Sequence, residues 1–171
     1  MKKVSSINVL VLCTGNSARS ILGEALFNHL GRGRVRAFSA GSKPAGQINP
    51  VVLETLAKRG VPLPPDARSK SWDEFAAPGA PSIDYIFTVC ASAAGEACPI
   101  WPGRPTTAHW GIADPAHVEP IDARREAFEK AFQSLEKRIK AFLALDLAMM
   151  LAKDVATAAR LIHEAVTEGE R

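Results

Sequence analysis

The sequence predicts a single-domain α/β fold in which an open, parallel, four-stranded sheet is flanked by helices and followed by an extra C-terminal helix. Its 171 residues, 47% of them hydrophobic, suffice for one well-packed core. Short apolar runs rich in β-branched residues alternate with stretches at helical spacing, an order typical of parallel sheets wrapped by helices. A long irregular stretch then separates this part from two closing helical stretches.

Four short runs predict the strands. Residues 7–12 are mostly β-branched and apolar, as in a strand that is buried on both faces. Residues 35–39 and 83–89 predict the second and third strands, and residues 106–109 a short fourth strand inside the irregular stretch 91–120.

Helical spacing appears between these runs. Apolar residues recur at helical intervals over residues 18–30, and Gly31 is the expected stop. Asn49 is a capping residue before Pro50, which predicts a helix to Arg59. A short turn is expected over residues 72–75, capped by Ser71.

Two more helices are predicted at the C-terminal end. Asp122 is the expected cap of an amphipathic helix whose apolar face is formed by Phe128, Phe132, Leu135, Ile139 and Phe142. Asp146 is the expected cap of a last helix that reaches about Glu168, with an apolar side formed by Leu147, Leu151, Val155, Ala158, Leu161 and Ile162. We expect residues 1–145 to form the main domain and residues 146–171 a helical extension, whose apolar side packs on the body or contacts a second copy in a weak dimer.

Charge and hydropathy exclude several classes of function. The formal net charge is only +3, with 21 basic and 18 acidic residues spread along the chain, so no nucleic-acid or membrane surface is indicated. The apolar run after residue 6 is too short for a secretion signal, and the apolar segment 141–151 carries Asp146. We therefore expect a soluble cytoplasmic protein.

The loop between the first strand and the first helix has the composition of an oxyanion site. It consists of Cys13, Thr14, Gly15, Asn16, Ser17, Ala18 and Arg19. Backbone N–H groups at a helix N-terminus bind anions, and a guanidinium binds tetrahedral oxyanions with two parallel hydrogen bonds. Cys13 would lie beneath the anion as a thiolate nucleophile, and Ser20 would donate a hydrogen bond to its sulfur.

Other interpretations of this loop have less support. The Walker pattern is absent, and Gly31-Arg32-Gly33 follows a helix instead of preceding one. Cys13 could be an inert buried cysteine, because free cysteines are often buried. Cys13, Cys90, Cys98 and His109 could number four zinc ligands, but their spacing matches no common zinc motif, so we expect no metal and no cofactor.

The motif Val11-Leu-Cys-Thr-Gly-Asn-Ser-Ala-Arg-Ser20 resembles the loop of the low-molecular-weight protein tyrosine phosphatase fold, and specifically its thioredoxin-coupled arsenate reductase branch. Further stretches resemble that branch in order and spacing: Ser39-Ala40-Gly41, Thr88-Val89-Cys90, Cys98-Pro99 and the segment from His109 to Ala116. The resemblance covers about residues 7–143.

The resemblance implies an enzyme that reduces arsenate to arsenite. Cys13 would attack arsenic while Asp114 protonates the departing oxygen. Cys90 would then form a disulfide with Cys13, and Cys98 would resolve it by pairing with Cys90. A thioredoxin-type or glutaredoxin-type protein would reduce the final disulfide. Apart from the resemblance, we expect His109 and Trp110 to stabilise a loop and not to catalyse.

Some members of the branch bind potassium beside the loop through Asn, Glu, Ser and Asp. Asn16, Glu24 and Ser39 match, but Lys70 stands where the aspartate is expected. A lysine ammonium can replace a cation electrostatically, so we predict no potassium site.

Two alternatives to arsenate reduction stay open. The chain could hydrolyse phosphomonoesters through Cys13, Arg19 and Asp114, since phosphate and arsenate share shape and charge. The phosphatase branch usually presents tyrosines near the aspartate, whereas Tyr85, the only tyrosine here, falls in a predicted strand. A non-catalytic anion-binding module is the third interpretation.

Overall fold

The protein was analysed as a computed structural model, which describes residues 6–90 and 101–171. In chain order the elements are β1 Ile7–Cys13, α1 Arg19–Gly31, β2 Val35–Gly41, α2 Pro50–Arg59, a 3-10 turn Trp72–Phe75, β3 Tyr85–Thr88, β4 Thr106–His109, α3 Ile121–Leu143 and α4 Ala152–Gly169. The predicted α/β class, the parallel sheet and the extra C-terminal helix are confirmed.

The four strands form one parallel sheet in the order β2-β1-β3-β4. β1 is central and pairs with β2 on one side and β3 on the other. The connections that lead to β2 and to β3 therefore lie on opposite sides of β1. Ligands bind in the crevice at such a switch point of a parallel sheet. The loops that follow β1 and β3 meet at this carboxyl edge of the sheet.

Helices on one face of the sheet enclose an aromatic core. Phe27 of α1, Phe87 of β3 and Phe142 of α3 surround Trp110, whose ring centroid lies 4.1 Å from that of Phe87. Trp72 and Phe75 of the 3-10 turn cover Leu10 and Leu12 on the opposite face. Burial on both faces accounts for the continuous apolar sequence of β1.

The predicted ends of several elements differ from the structure. α1 includes Gly31, and the left-handed residue that ends the helix is Arg32, with φ 48°. A Cβ on Gly31 would lie 2.7 Å from the side chain of Val35, so close packing on β2 requires this glycine. Asp122 is not the cap of α3 but lies in its first turn, and β3 is shorter than the predicted 83–89.

The last helix begins later than predicted. Residues 146–149 form a turn in which the Met149 N–H donates to the Asp146 carbonyl, and α4 starts at Ala152. Its buried residues are Val155 and Ala159, while Leu151 and Leu161 are 62% and 51% exposed. The predicted packing face is therefore confirmed at Leu147, Val155 and Ile162, which pack against the core, and was wrong at Leu151 and Leu161.

α4 packs against β4 and α3. Within the described residues, no helix has both the length and the apolar character that a membrane span needs. The domain boundary at residue 145 and the monomeric or weakly dimeric state stay predictions.

Candidate active site

The loop of residues 13–19 joins the end of β1 to the start of α1, at the carboxyl edge of the sheet. Its carbonyl groups point towards the neighbouring chain after β2: the N–H groups of Lys43, Ala45 and Asn49 donate to the carbonyls of Thr14, Gly15 and Ser17, each at 2.9 Å. In a trans peptide the N–H points opposite to the carbonyl, so the loop turns its N–H groups inward. Together with the N-terminus of α1 they line a concavity of the kind that binds anions.

The sulfur of Cys13 lies on the inner side of this loop. Cys13 is 4% exposed, and its Sγ accepts a hydrogen bond from the Asn16 N–H at 3.2 Å. Ser20 Oγ lies 2.9 Å from the same sulfur and accepts a hydrogen bond from Asn16 Nδ2 at 2.8 Å. Because the amide occupies an acceptor position of the hydroxyl, the Ser20 hydrogen is free to point at the sulfur and to donate a hydrogen bond to it.

Asn16 fixes the shape of the loop. It has a left-handed backbone with φ 44°, a conformation that asparagine tolerates better than most residues. Its side-chain Oδ1 accepts the backbone N–H of Lys70 at 2.9 Å, and the residue is fully buried. Through these contacts Asn16 braces the loop against the chain before the 3-10 turn.

Gly41 lies against the loop of residues 13–19, and its sequence motif predicted no role for it. A Cβ built there would lie 2.3 Å from the Thr14 carbonyl oxygen and 3.0 Å from the Asn16 nitrogen. Both contacts are to loop backbone, which cannot yield as a flexible side chain can. A glycine at the end of a strand, beside a phosphate-type loop, was the available sequence signal.

We predict that Gly41→Ala shifts the oxyanion loop and weakens inorganic phosphate binding by about tenfold or more, since a displacement of about 1 Å can cost 10²-fold in a positioned site. Titration calorimetry measures the affinity. Gly169→Ala is the matched control, because nothing lies within 4 Å of a Cβ at that position. Unchanged phosphate affinity in Gly41→Ala would contradict the assigned role.

Arg19 connects the loop to the segment after β4. Its NH1 donates to the Ile112 carbonyl at 2.9 Å, and its NH2 lies 3.6 Å from Asp114 Oδ2. Its Nε is buried without a hydrogen-bond partner among the described residues, a donor that a bound oxyanion can satisfy. Asp114 is 43% exposed, and its Oδ1 accepts the Ala116 N–H at 2.9 Å. The predicted acid and the predicted oxyanion ligand are thus neighbours.

The structure also brings a second thiol to the loop. Val89 at the end of β3 donates its N–H to the Leu12 carbonyl, which holds the next residue, Cys90, beside the start of the loop. Cys90 is 4% exposed, and its Sγ lies 3.5 Å from Thr14 Oγ1. Cys98, the third predicted thiol, lies outside the described residues.

A charged pair lies behind the loop. Lys70 Nζ donates to the Ser39 carbonyl at 2.8 Å and lies 4.0 Å from Glu24 Oε1, and Ser39 Oγ donates to the same carboxylate at 3.3 Å. The lysine ammonium therefore lies beside Ser39 and Glu24, two of the residues that resemble potassium ligands. This position is the one expected if the ammonium replaces the potassium ion electrostatically. Burial raises the pKa of Glu24 from 4.5 to about 6, against the opposing effect of Lys70, and burial lowers the pKa of Lys70.

This pair gives a prediction about stability and pH. Because folded Glu24 holds its proton more tightly than unfolded Glu24, its contribution to stability is complete below pH 4.5 and is lost as the pH rises through about 6. The unfolding free energy of the wild type, relative to Glu24→Gln, should fall by about 2 kcal/mol between pH 4.5 and 7. Denaturant unfolding measures it, with Glu164→Gln on exposed α4 surface as control. A difference that is constant with pH would contradict this assignment.

The contacts of His109 and Trp110 agree with the expectation that these residues stabilise the structure. His109 Nδ1 lies 2.8 Å from Thr88 Oγ1, a contact between β4 and β3, and Trp110 is in the core. In the described ranges 6–90 and 101–171, no three His, Cys, Asp or Glu side chains cluster as metal ligands. The zinc set that includes Cys98 lies partly outside those ranges.

Known proteins resemble this chain over most of its length. The family model for low molecular weight phosphotyrosine protein phosphatase matches residues 8–157. A curated arsenate reductase from Shouchella clausii is 30% identical over 135 residues, which are 78% of this chain and 93% of that protein.

Two solved structures agree with this comparison. The thioredoxin-dependent arsenate reductase of Corynebacterium glutamicum is 30% identical with a TM-score of 0.53, and the match covers 81% of this chain but 65% of that chain. An arsenate reductase from Archaeoglobus fulgidus is 29% identical with a TM-score of 0.57 over 77% of this chain and 98% of that chain. The chain belongs to the low molecular weight phosphotyrosine protein phosphatase family, in which its relatives include arsenate reductases.

Proposed function

We propose that this protein reduces arsenate to arsenite, with Cys13 as the nucleophile and Cys90 as the first thiol of a disulfide relay. The observation that carries the proposal is the second thiol: Cys90 Sγ lies 3.5 Å from Thr14 Oγ1, beside the loop that holds Cys13. Hydrolysis of a phosphoester needs one thiol at this place, whereas reduction of arsenic by two electrons needs two.

The loop suits arsenate as a tetrahedral dianion. Inward N–H groups, the dipole of α1 and the buried Arg19 Nε all attract negative charge. The Ser20 hydroxyl and the Asn16 N–H stabilise the Cys13 thiolate beneath the anion. These groups place the nucleophile and its target in one site, which is the main source of rate in such reactions.

In the first step, the Cys13 sulfur forms a bond to arsenic while one arsenic–oxygen bond breaks. The departing oxygen takes a proton from the Asp114 carboxyl and leaves as water. Arsenic keeps oxidation state +5 in the resulting thiol adduct. The position of Asp114 beside Arg19, an oxyanion ligand, supports this role.

In the second step, the Cys90 thiolate attacks the Cys13 sulfur. A sulfur–sulfur bond forms, the sulfur–arsenic bond breaks, and its electron pair stays on arsenic, which leaves as arsenite. Two thiols are thereby oxidised to a disulfide as arsenic gains two electrons. Thiolate access and geometry set the rate of such an exchange.

A third exchange would regenerate Cys13. In it, Cys98 attacks Cys90, the Cys90–Cys98 disulfide forms and Cys13 is released as a thiolate. An external dithiol protein of the thioredoxin or glutaredoxin type then reduces that disulfide. The thioredoxin dependence of the Corynebacterium glutamicum relative supports the first of these two reductants.

Phosphomonoester hydrolysis is the second candidate, because the family description names phosphotyrosine phosphatases and the loop with Asp114 suffices for it. The two functions separate in one experiment. Anaerobic incubation with arsenate and a thioredoxin or glutaredoxin system should give many arsenite molecules per enzyme, measured beside para-nitrophenyl phosphate hydrolysis. Vigorous hydrolysis without arsenite from any reductant would make the protein a phosphatase.

Replacement of Asp114 tests the acid. We expect Asp114→Asn to lower kcat for arsenate by 10²- to 10⁴-fold, the usual contribution of a general acid, with little change in KM. Steady-state arsenite formation measures both. Asp122→Asn on the exposed first turn of α3 is the control and should keep wild-type rates. A wild-type kcat in Asp114→Asn would remove Asp114 from the mechanism.

A further inference from the structure

Trp110 connects the C-terminal helix to the candidate site. Its indole is 1% exposed, and its Nε1 donates to the backbone carbonyl of Ala159 in α4 at 2.9 Å. Ala159 is also 1% exposed, and its small side chain allows the helix to approach the indole closely. A buried Trp N–H needs such a partner, so the contact fixes how Trp110 and α4 lie relative to each other.

The residues next to Trp110 carry the site. The Trp110 N–H donates to the Thr88 carbonyl at 2.7 Å, and the Ile112 N–H donates to the Val89 carbonyl at 3.1 Å. The Ile112 carbonyl accepts Arg19, and Asp114 follows two residues later. The backbone of Trp110 is therefore continuous with both the Arg19 acceptor and the proposed acid, two and four residues later.

α4 is held firmly enough to serve as a support. Arg138 of α3 is 1% exposed and donates to His163 Nδ1, Thr167 Oγ1 and Glu170 Oε1, at 3.1, 2.9 and 3.1 Å. These three acceptors lie on α4 or directly after it, so one buried guanidinium anchors the C-terminal half of the helix. The match to the family model ends at residue 157, before Ala159 and all three acceptors.

We propose that α4 is a positioning element for the segment 110–114, and that Trp110 is the positioning residue through which it acts on Asp114. The inference rests on the proposed function for its kinetic consequence, but the contact and its effect on the segment can be measured without turnover. The C-terminal extension thereby has a role in catalysis although none of its residues reaches the oxyanion loop.

The test compares Trp110→Phe with Arg160→Gln. Phenylalanine keeps an aromatic ring in the core and removes the Nε1 donor, whereas Arg160 is on the exposed side of α4 and pairs only with Glu164 among the described residues. Hydrogen exchange should accelerate about tenfold or more at residues 111–116 in Trp110→Phe and stay unchanged in Arg160→Gln. Unchanged exchange in Trp110→Phe would overturn the proposal, whatever the enzyme's activity.

Kinetics then show whether the effect passes through Asp114. In the wild-type background, Trp110→Phe should lower kcat about tenfold with KM nearly constant. In an Asp114→Asn background the same change should have almost no further effect, because the group it positions is already lost. Equal losses in both backgrounds would mean general destabilisation and would overturn the positioning role.

The two proposals fail in different ways. If arsenate is not turned over, phenyl phosphate hydrolysis provides the same double-mutant comparison, since its poor leaving group also needs an acid. Accelerated exchange with no arsenite formed would reject the arsenate reductase and keep the support by α4. Arsenite turnover with unchanged exchange in Trp110→Phe would keep the arsenate reductase and reject the support by α4.

Discussion

Cys90→Ser should end catalytic arsenate reduction while phosphoester hydrolysis continues. Serine is too poor a nucleophile to attack the Cys13 sulfur, so the arsenic adduct has no internal route to arsenite. We expect multiple-turnover arsenite formation to fall by at least about 10³-fold, a size usual for loss of a covalent participant. The measurement is arsenite production with a saturating thioredoxin system.

Phosphoester hydrolysis by the same variant is the control for correct folding. Cys90 is buried at the end of β3 and contacts Thr14, so a folding defect would lower both activities together. Hydrolysis of para-nitrophenyl phosphate within about threefold of wild type would show that the oxyanion loop and Cys13 are intact. Arsenite turnover at the wild-type rate in Cys90→Ser would exclude the relay.

Cys13→Ser should abolish both arsenate reduction and phosphoester hydrolysis. The sulfur accepts from Asn16 and lies 2.9 Å from Ser20, and a serine oxygen can make the same hydrogen bonds, so the loop should persist. We expect losses of about 10⁴-fold or more in both rates, with phosphate binding kept. Cys90→Ser is the matched control for exchanging a buried thiol. Retained turnover in Cys13→Ser would exclude Cys13 as the nucleophile.

Local sequence patterns sufficed for much of this fold and site. The apolar run of β1, the loop after it and the spacing of α1 all lie within one continuous stretch, and each obeys short-range rules of burial and backbone geometry. The placement of Cys13, Asn16, Arg19 and Ser20 around one concavity follows from that stretch alone. The proximity of Cys90 then follows from the parallel pairing of β1 and β3.

Local sequence patterns could not predict the long-range contacts. The requirement for glycine at position 41 arises from the Thr14 carbonyl, which is distant in sequence. The hydrogen bond from Trp110 to Ala159 joins residues 49 positions apart, and the indole N–H could have donated to another carbonyl. No local rule specifies either contact, because each depends on how separate elements pack.

The start of α4 shows competition between local and tertiary preferences. Asp146 is a good capping residue, yet the chain makes a turn there and Leu147 and Met150 pack against the core. Burial of these side chains outweighs the contribution of about 1 kcal/mol that a helix cap makes. The helix consequently starts at Ala152, and it contacts the body through Val155, which was predicted, and Ala159, which was not.

In the proposed mechanism, arsenic receives its two electrons from Cys13 and Cys90. The most direct measurement is a single anaerobic turnover of the Cys98→Ser variant with arsenate, followed by acid quenching, arsenite quantification and mass spectrometry of the peptides. We expect about one arsenite per enzyme and a Cys13–Cys90 disulfide. Arsenite formed without that disulfide, or neither product from folded protein that still binds phosphate, would contradict it.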